Sequence, residues 1–353
     1  MPHVVLVTGV SRYLGRRLCG QLSADPSIER IIGVDTTPPA KADLARIGRT
    51  EFVRADIRNP LIARVIARAN VDTVVHASVT ATPRGAGGRT PMKELNVIGT
   101  MQLLAACQKS ETTRRLVVKS TTAVYGSSPR DPAVFTEDTE ARGLPRSGYA
   151  KDAVEVEGYV RGFSRRRPDI CVTMLRFANF IGPTIETPLT RYLALPIVPT
   201  GLGHDARLQL LHEDDAIEVL RMATLADRPG VFNVAGEGAL LLSQAIRREG
   251  HLSVPVPGFG TQFASRFVRR RGVDFSPEQM QFLNFGRVVD VTRLHRQFAY
   301  RPQYTTAEAF EAFVSGRPVR PVVSANTVRR GEELLQRVLR APATVAAGVP
   351  DRG

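Results

Sequence analysis

Tryptophan is missing from the 353 residues, and the three cysteines, Cys19, Cys107 and Cys171, stand far apart with no CxxC pair. That spacing argues against a disulfide scaffold and a cysteine zinc module, and it fits a reducing cytosol. The six histidines show no HExxH-type spacing, so no metal site is expected. No apolar run approaches the roughly 18 residues of a membrane helix. The first strand-like run, Val4 to Thr8, begins too early for a signal peptide, so a cytoplasmic protein without a transmembrane segment is the expectation. Lysine is scarce too. It supplies only five of the 48 basic residues, against 34 acidic ones, so the net charge of +14 rests on arginine. The largest basic clusters are the triplets 165–167 and 269–271, without interleaved aromatics, which speaks against nucleic acid as a partner. The arginine surplus suits a small anionic ligand.

Length and rhythm are what the chain does have. With 43% apolar residues it can bury one large α/β core or two smaller ones. Up to about residue 236, strand-length apolar runs alternate with helical-period segments, the pattern of βα units on a parallel sheet. Strands are expected at 4–8, 31–34, 52–54, 71–77, 116–121, 170–175, 208–212 and 231–235. Leu14, Leu18 and Leu22 mark the first helix, and Asn59-Pro60 opens another as N-cap and first-turn proline. A Gly-rich loop runs from Arg84 to Arg89. Beyond about residue 238 come Pro/Gly-rich loops and helices near 276–285 and 305–314. The stretch 318–353 carries one amphipathic segment through Leu334, Leu335, Val338 and Leu339 and is expected to be mobile.

The first unit is the informative one. Strand 4–8 runs directly into Thr8-Gly9-Val10-Ser11-Arg12-Tyr13-Leu14-Gly15 and then into a helix. Glycine at the strand end permits a tight turn, and a small residue further on lets the helix start lie close, so its free N–H groups face a pyrophosphate. Asp35 ends the second strand 20 residues after Gly15, where a carboxylate accepts hydrogen bonds from ribose hydroxyls. Together they point to a dinucleotide. The expected fold is α/β, a Rossmann-type doubly wound parallel sheet with a smaller, mostly helical C-terminal substrate lobe. Residues 1–175 and 207–237 are assigned to the NAD(P)-binding domain, 176–206 and 238–317 to the substrate lobe, and 318–353 to the tail.

Further motifs follow in order: Ala55-Asp56-Ile57-Arg58 after the third strand, His76-Ala77 closing the fourth, and Asn96 within Glu94-Leu95-Asn96-Val97-Ile98-Gly99-Thr100. Then come Lys119-Ser120-Thr121-Thr122-Ala123-Val124-Tyr125-Gly126, Arg176-Phe177-Ala178-Asn179-Phe180-Ile181-Gly182-Pro183 and Leu210-Leu211-His212-Glu213-Asp214-Asp215. Over residues 3 to 315 this series resembles the extended branch of the short-chain dehydrogenase/reductase superfamily, the NAD-dependent epimerases and dehydratases of nucleotide sugars, which include the UDP-glucose 4-epimerases. The resemblance implies cofactor contacts at Gly9, Arg12, Tyr13, Leu14, Gly15, Asp35, Asp56, Ile57, His76, Ala77 and Asn96, a catalytic hydroxyl at Thr121, and Asn179 on the substrate phosphates. Against the family's TGxxGxxG, Arg12 replaces the second glycine, and a side chain there crowds the backbone approach to phosphate. The short-form branch carries an arginine at this place where a 2′-phosphate binds, which keeps NADP open, but Asp35 would repel that phosphate. NAD is the expected cofactor.

In the family, a tyrosine in YxxxK takes a proton from a sugar hydroxyl while hydride leaves for the nicotinamide. At pH 7 only about one part in 10³ of free tyrosine is ionised, a penalty near 4 kcal/mol that the lysine reduces. Here the motif reads Tyr149-Ala150-Lys151-Asp152-Ala153, with Ala153 at the lysine position. Lys151, about 200° around the helix, is no obvious substitute. Tyr149 then works with Thr121 alone, or a base comes from His212 or Lys119, or catalysis has been lost and the chain acts as an NAD(P)-binding regulatory or partner-binding protein. Reduction of a non-sugar carbonyl is a further reading. Lys119 shares a strand face with Thr121 and is a weak candidate, while His212 reads more simply as a packed strand-end residue. On the substrate side, Arg207 stands one residue away from where the family places a phosphate-binding arginine, and it serves only if a bulge re-aims it. The resemblance also implies a homodimer, with helices 92–109 and 149–165 as the elements that would pair.

Overall fold

Strand β1 (Val4–Thr8) is a run of β-branched and apolar residues buried along its whole length, as a central strand covered on both faces must be. The computed structural model describes residues 4–80, 89–139, 148–256 and 277–316. In chain order β1 is followed by α1 (Tyr13–Ser23), β2 (Arg30–Asp35), α2 (Lys41–Leu44), β3 (Glu51–Arg54), α3 (Ile62–Arg68), β4 (Thr73–His76) and α4 (Arg89–Lys109). Then come β5 (Arg115–Thr121), α5 (Gly148–Arg166), β6 (Cys171–Phe177), β7 (Asn179–Ile181), α6 (Pro188–Leu193), β8 (Ile197–Gly201), β9 (Arg207–Leu208), β10 (Leu210–His212), α7 (Glu213–Leu225), β11 (Gly230–Val234), β12 (Leu240–Leu241), α8 (Leu242–Arg248) and β13 (Leu252–Val256). Helices Pro277–Phe285, Thr292–Arg296 and Thr306–Ser315 follow.

Seven parallel strands form the main sheet in the order β11-β6-β5-β4-β1-β2-β3. The chain starts at β1, builds outward to β3, then returns to β4 on the other flank of β1. That reversal opens a crevice at the C-terminal ends of β1 and β4, where doubly wound sheets bind ligands. One face is covered by α1 and α7, through Leu14, Leu18, Leu22, Ile217 and Leu220. The other is covered by α3, α4 and α5, through Ile62, Ile66, Leu103, Val156 and Phe163. A separate apolar cluster joins Leu189, Tyr192, Leu208, Leu242, Phe282 and Phe310, among α6, α8 and the later helices. The loop 84–89, apart from the start of α4 at Arg89, lies outside the described residues, as do 257–276 and the tail 318–353.

The single strand expected over 208–212 is two. Arg207–Leu208 pairs antiparallel with β12, whereas Leu210–His212 pairs parallel with β7. Gln209 makes the break: its buried amide donates to Gly236 O at 3.0 Å and accepts from Val289 N at 2.7 Å. A side chain that serves as a sheet partner in this way lets the backbone change sheets without leaving polar groups unpaired. The helix expected to begin at Asn59-Pro60 becomes α-helical only at Ile62, because Asn59 Oδ1 first accepts Leu61 N in a turn.

Candidate active site

The turn after β1 is built by steric exclusion. Gly9 has φ +78°, and a Cβ there would lie 3.0 Å from Ser78 Cα. At Gly15 a Cβ would stand 2.3 Å from the Gly9 carbonyl oxygen, so only glycine lets α1 begin so close to the strand end. Arg12 is the residue before α1, in extended conformation (φ −100°, ψ 160°), so the loop asks no glycine torsion of it. No side chain caps α1 and its first turn holds no acid, which leaves the N-terminal N–H groups for an anion. Tyr13 reaches Thr184 with its hydroxyl at 2.7 Å and accepts from Arg17, while Leu14 is buried beneath the turn. Asp35 Oδ2 accepts Ser11 N at 3.2 Å and Oδ1 accepts Thr36 N at 2.8 Å, which fixes the carboxylate at the edge of the loop. An acid so placed suits free ribose hydroxyls and opposes a 2′-phosphate. The glycine cradle, the open helix start and Asp35 fit NAD.

The remaining cofactor candidates frame this crevice in different ways. Asp56 is bonded by Arg58 through Nε and Nη2, which lowers its pKa, and Arg58 also pairs with Glu94 at 2.9 Å. Ile57 is buried against Gly99, where a Cβ would lie 2.8 Å from its side chain. His76 is tied to the hydroxyls of Thr8 at 3.0 Å and Thr100 at 2.8 Å, and burial holds it neutral with a pKa of about 3. It offers backbone rather than a ring. Ala77 is buried directly after it. Asn96 accepts from Thr80 N, donates to Thr80 O and reaches Asp152, so it pins the end of the β4 segment to α5.

At the end of β5, Thr121 accepts Ala123 N at 3.2 Å, and its side chain lies beside Tyr149, where it lowers the phenol's pKa against a larger effect of burial. Tyr149 lies in the first turn of α5. Burial raises its pKa further above 10, with the negative charges of Asp152 and Glu157 adding to the effect. A base needs the opposite shift. Ala153, one turn on, is only 1% exposed and packs in the core, while Lys151 is exposed and turned toward Glu155 at 3.9 Å. Neither brings a cation to the tyrosine.

On the substrate side, Asn179 opens β7 half-buried. Arg207 is exposed, with Nη2 donating to Ala133 O at 2.9 Å, and it lines a cavity of about 170 Å³ with Asp131, Phe135 and Arg287. His212 accepts Asp214 N at the start of α7 and stacks on Tyr304 at 3.8 Å, a packing role. Sequence spacing offered no sign of Arg287, which donates from Nε to Gly126 O at 2.7 Å and from Nη2 to Ser127 Oγ at 2.9 Å.

A doubly wound sheet with a glycine-pinched turn at its switch point, and a Thr–Tyr pair at the end of β5, defines a dinucleotide-dependent protein of the short-chain dehydrogenase/reductase type. A family model matches residues 5–235, and the chain belongs to the NAD dependent epimerase/dehydratase family. It is 52% identical over 333 residues to an uncharacterised protein of Mycobacterium tuberculosis, covering 94% of this chain and 88% of that one. It is 30% identical to the UDP-glucose 4-epimerase of Yersinia pestis, over 50% of this chain and 53% of that enzyme. Bacillus cereus UDP-glucuronic acid 4-epimerase, solved with UDP-glucuronic acid and NAD, shares the fold at TM-score 0.68 and 19% identity, covering 89% of this chain and 98% of that one. Bacillus anthracis dTDP-glucose 4,6-dehydratase with NAD does so at TM-score 0.68 and 20% identity, over 89% and 96% of the two chains. Among the described residues, no helix is long and apolar enough to cross a membrane, and no cluster of side chains could hold a metal ion.

Proposed function

We propose that the protein interconverts or dehydrates a nucleotide sugar, with a UDP-linked hexose as its substrate class. The carrying observation is that the Thr121 side chain at the end of β5 lies beside Tyr149 in the first turn of α5. Bound NAD supplies a reversible hydride acceptor. Tyr149 takes the proton of the sugar hydroxyl, Thr121 holds that hydroxyl and the phenolic oxygen in line, and Asn179 and Arg207 face the substrate diphosphate. The named activities of the Yersinia pestis and Bacillus cereus relatives support this substrate class.

A turnover assay with UDP-glucose and UDP-galactose, NAD supplied and products resolved by NMR, tests it. Interconversion by the wild type is expected, with Tyr149→Phe slower by about 10²- to 10⁴-fold. Unchanged turnover in that variant removes Tyr149 from the mechanism. Ala153 and the burial that raises the Tyr149 pKa favour a second reading, a catalytically weak NAD-binding protein that works through partners. A silent wild type beside an active Ala153→Lys supports that second reading.

A further inference from the structure

The family lysine is absent from α5, yet a buried ammonium lies on the adjoining strand. Lys119 precedes Thr121 by two residues on β5, so both side chains leave the same face of the sheet. It is only 8% exposed. Its Nζ donates to Val79 O at 2.6 Å and stands 5.9 Å from the ring centroid of Phe180. Val79 follows Ser78, the residue against which Gly9 of the dinucleotide turn is packed. Phe180 follows Asn179 on β7. The ammonium therefore sits where the segment after β4, the end of β5 and the start of β7 converge on the crevice.

Among the described residues, its charged surroundings do not compensate it. Arg12 from the turn after β1 acts on it with like charge, and the His76 ring of β4 is neutral. Among the described residues no carboxylate lies within ion-pair distance of Nζ. Burial, reinforced by Arg12, brings the Lys119 pKa down to about 7. A desolvated cation without a counter-charge is a cost to folding, and such a cost is tolerated where a ligand relieves it.

We propose that Lys119 takes over, from the neighbouring strand, the cofactor-holding part of the lysine missing at Ala153: its ammonium holds the nicotinamide-side ribose and phosphate of the bound dinucleotide. This stands on dinucleotide binding alone and does not depend on the roles given above to Thr121 and Tyr149.

Calorimetric titration with NAD, in buffers of different ionisation enthalpy between about pH 6 and 9, tests it. The phosphates of NAD raise the Lys119 pKa, so binding takes up a proton and weakens as pH rises above 7. Lys119→Met is expected to bind NAD about tenfold or more weakly and to lose the proton uptake. Lys119→Arg, charged throughout the range, is expected to bind without uptake. Lys119→Met removes an uncompensated buried charge and should melt no lower than the wild type at pH 7. If it does not fold, the Lys119→Arg result decides. Wild-type affinity and proton uptake retained in Lys119→Met, or uptake retained in Lys119→Arg, overturn the assignment.

This readout requires no sugar substrate, so a wild type that binds NAD through Lys119 but leaves UDP-hexoses unchanged defeats the proposed function and not this inference.

Discussion

Two glycines and two buried bases set the terms of the crevice. A methyl at Gly15 would meet the Gly9 carbonyl at 2.3 Å, and backbone cannot yield as a side-chain tip can. Gly15→Ala must lift α1 from the end of β1, with a loss of about 1 to 3 kcal/mol of stability and at least tenfold in NAD affinity. Urea unfolding and calorimetry check both, and wild-type values in the variant would refute the packing argument. Burial holds His76 at about 3 and Lys119 at about 7, against ordinary values of 6.5 and 10.5. In these windows the unfolded chain binds more protons than the folded one, so stability rises with pH, from about 3 to 6.5 for His76 and from about 7 to 10.5 for Lys119. Without added cofactor the melting temperature should climb from pH 7 to pH 9 in the wild type and stay nearly level in Lys119→Met. Parallel profiles in the two proteins would show that the lysine is solvated.

At the scale of elements, α5 ties the catalytic end of the sheet together. Tyr149, Ala153 and Glu157 recur at four-residue spacing and so lie along one face of the helix. Glu157 accepts Ser120 Oγ at 2.6 Å from β5 and pairs with Arg176 of β6 at 2.7 Å, both partners of the pair being buried. Arg176 also donates to Tyr125 Oη at 2.8 Å, and that hydroxyl donates to Asn233 at 2.8 Å on β11. Burial works against the Arg176 charge, but the Glu157 bonds outweigh it and raise its pKa. Glu157→Gln strands a desolvated guanidinium and should cost about 3 to 5 kcal/mol, whereas replacing both residues by methionine should cost far less. Equal losses in the two variants, measured by urea unfolding, would mean that packing volume rather than charge is what matters there.

For the whole molecule, the outer faces of α4 and α5 expose large apolar side chains: Ile98 at 44%, Met101 at 43% and Tyr159 at 40%. These two helices pack against one another on the same side of the sheet, and a homodimer that pairs them would cover these residues. Light scattering should give a dimer for the wild type and a monomer for Ile98→Asp/Met101→Asp with unchanged melting. A monomeric wild type at micromolar concentration would dispose of the idea.

The sequence by itself determined the strand–turn–helix of Gly9 to Gly15, the acid at the end of β2, the succession of main-sheet strands along the chain and the places of Thr121 at the end of β5 and Tyr149 at the start of α5, because each is a local pattern of apolar period, glycine and spacing. What depends on distant segments meeting was decided only by the tertiary structure. Gln209 splits one apparent strand in two because its amide donates to Gly236 O and accepts from Val289 N, residues that no period of the chain connects to it. Arg12 is tolerated in the turn because its backbone there is extended. Lys119 is marked in the sequence only by sharing a strand face with Thr121; its burial appears when Val79, Phe180 and Arg12 close around it. Its importance arises from desolvation, which belongs to the assembled crevice and to no segment of the chain alone.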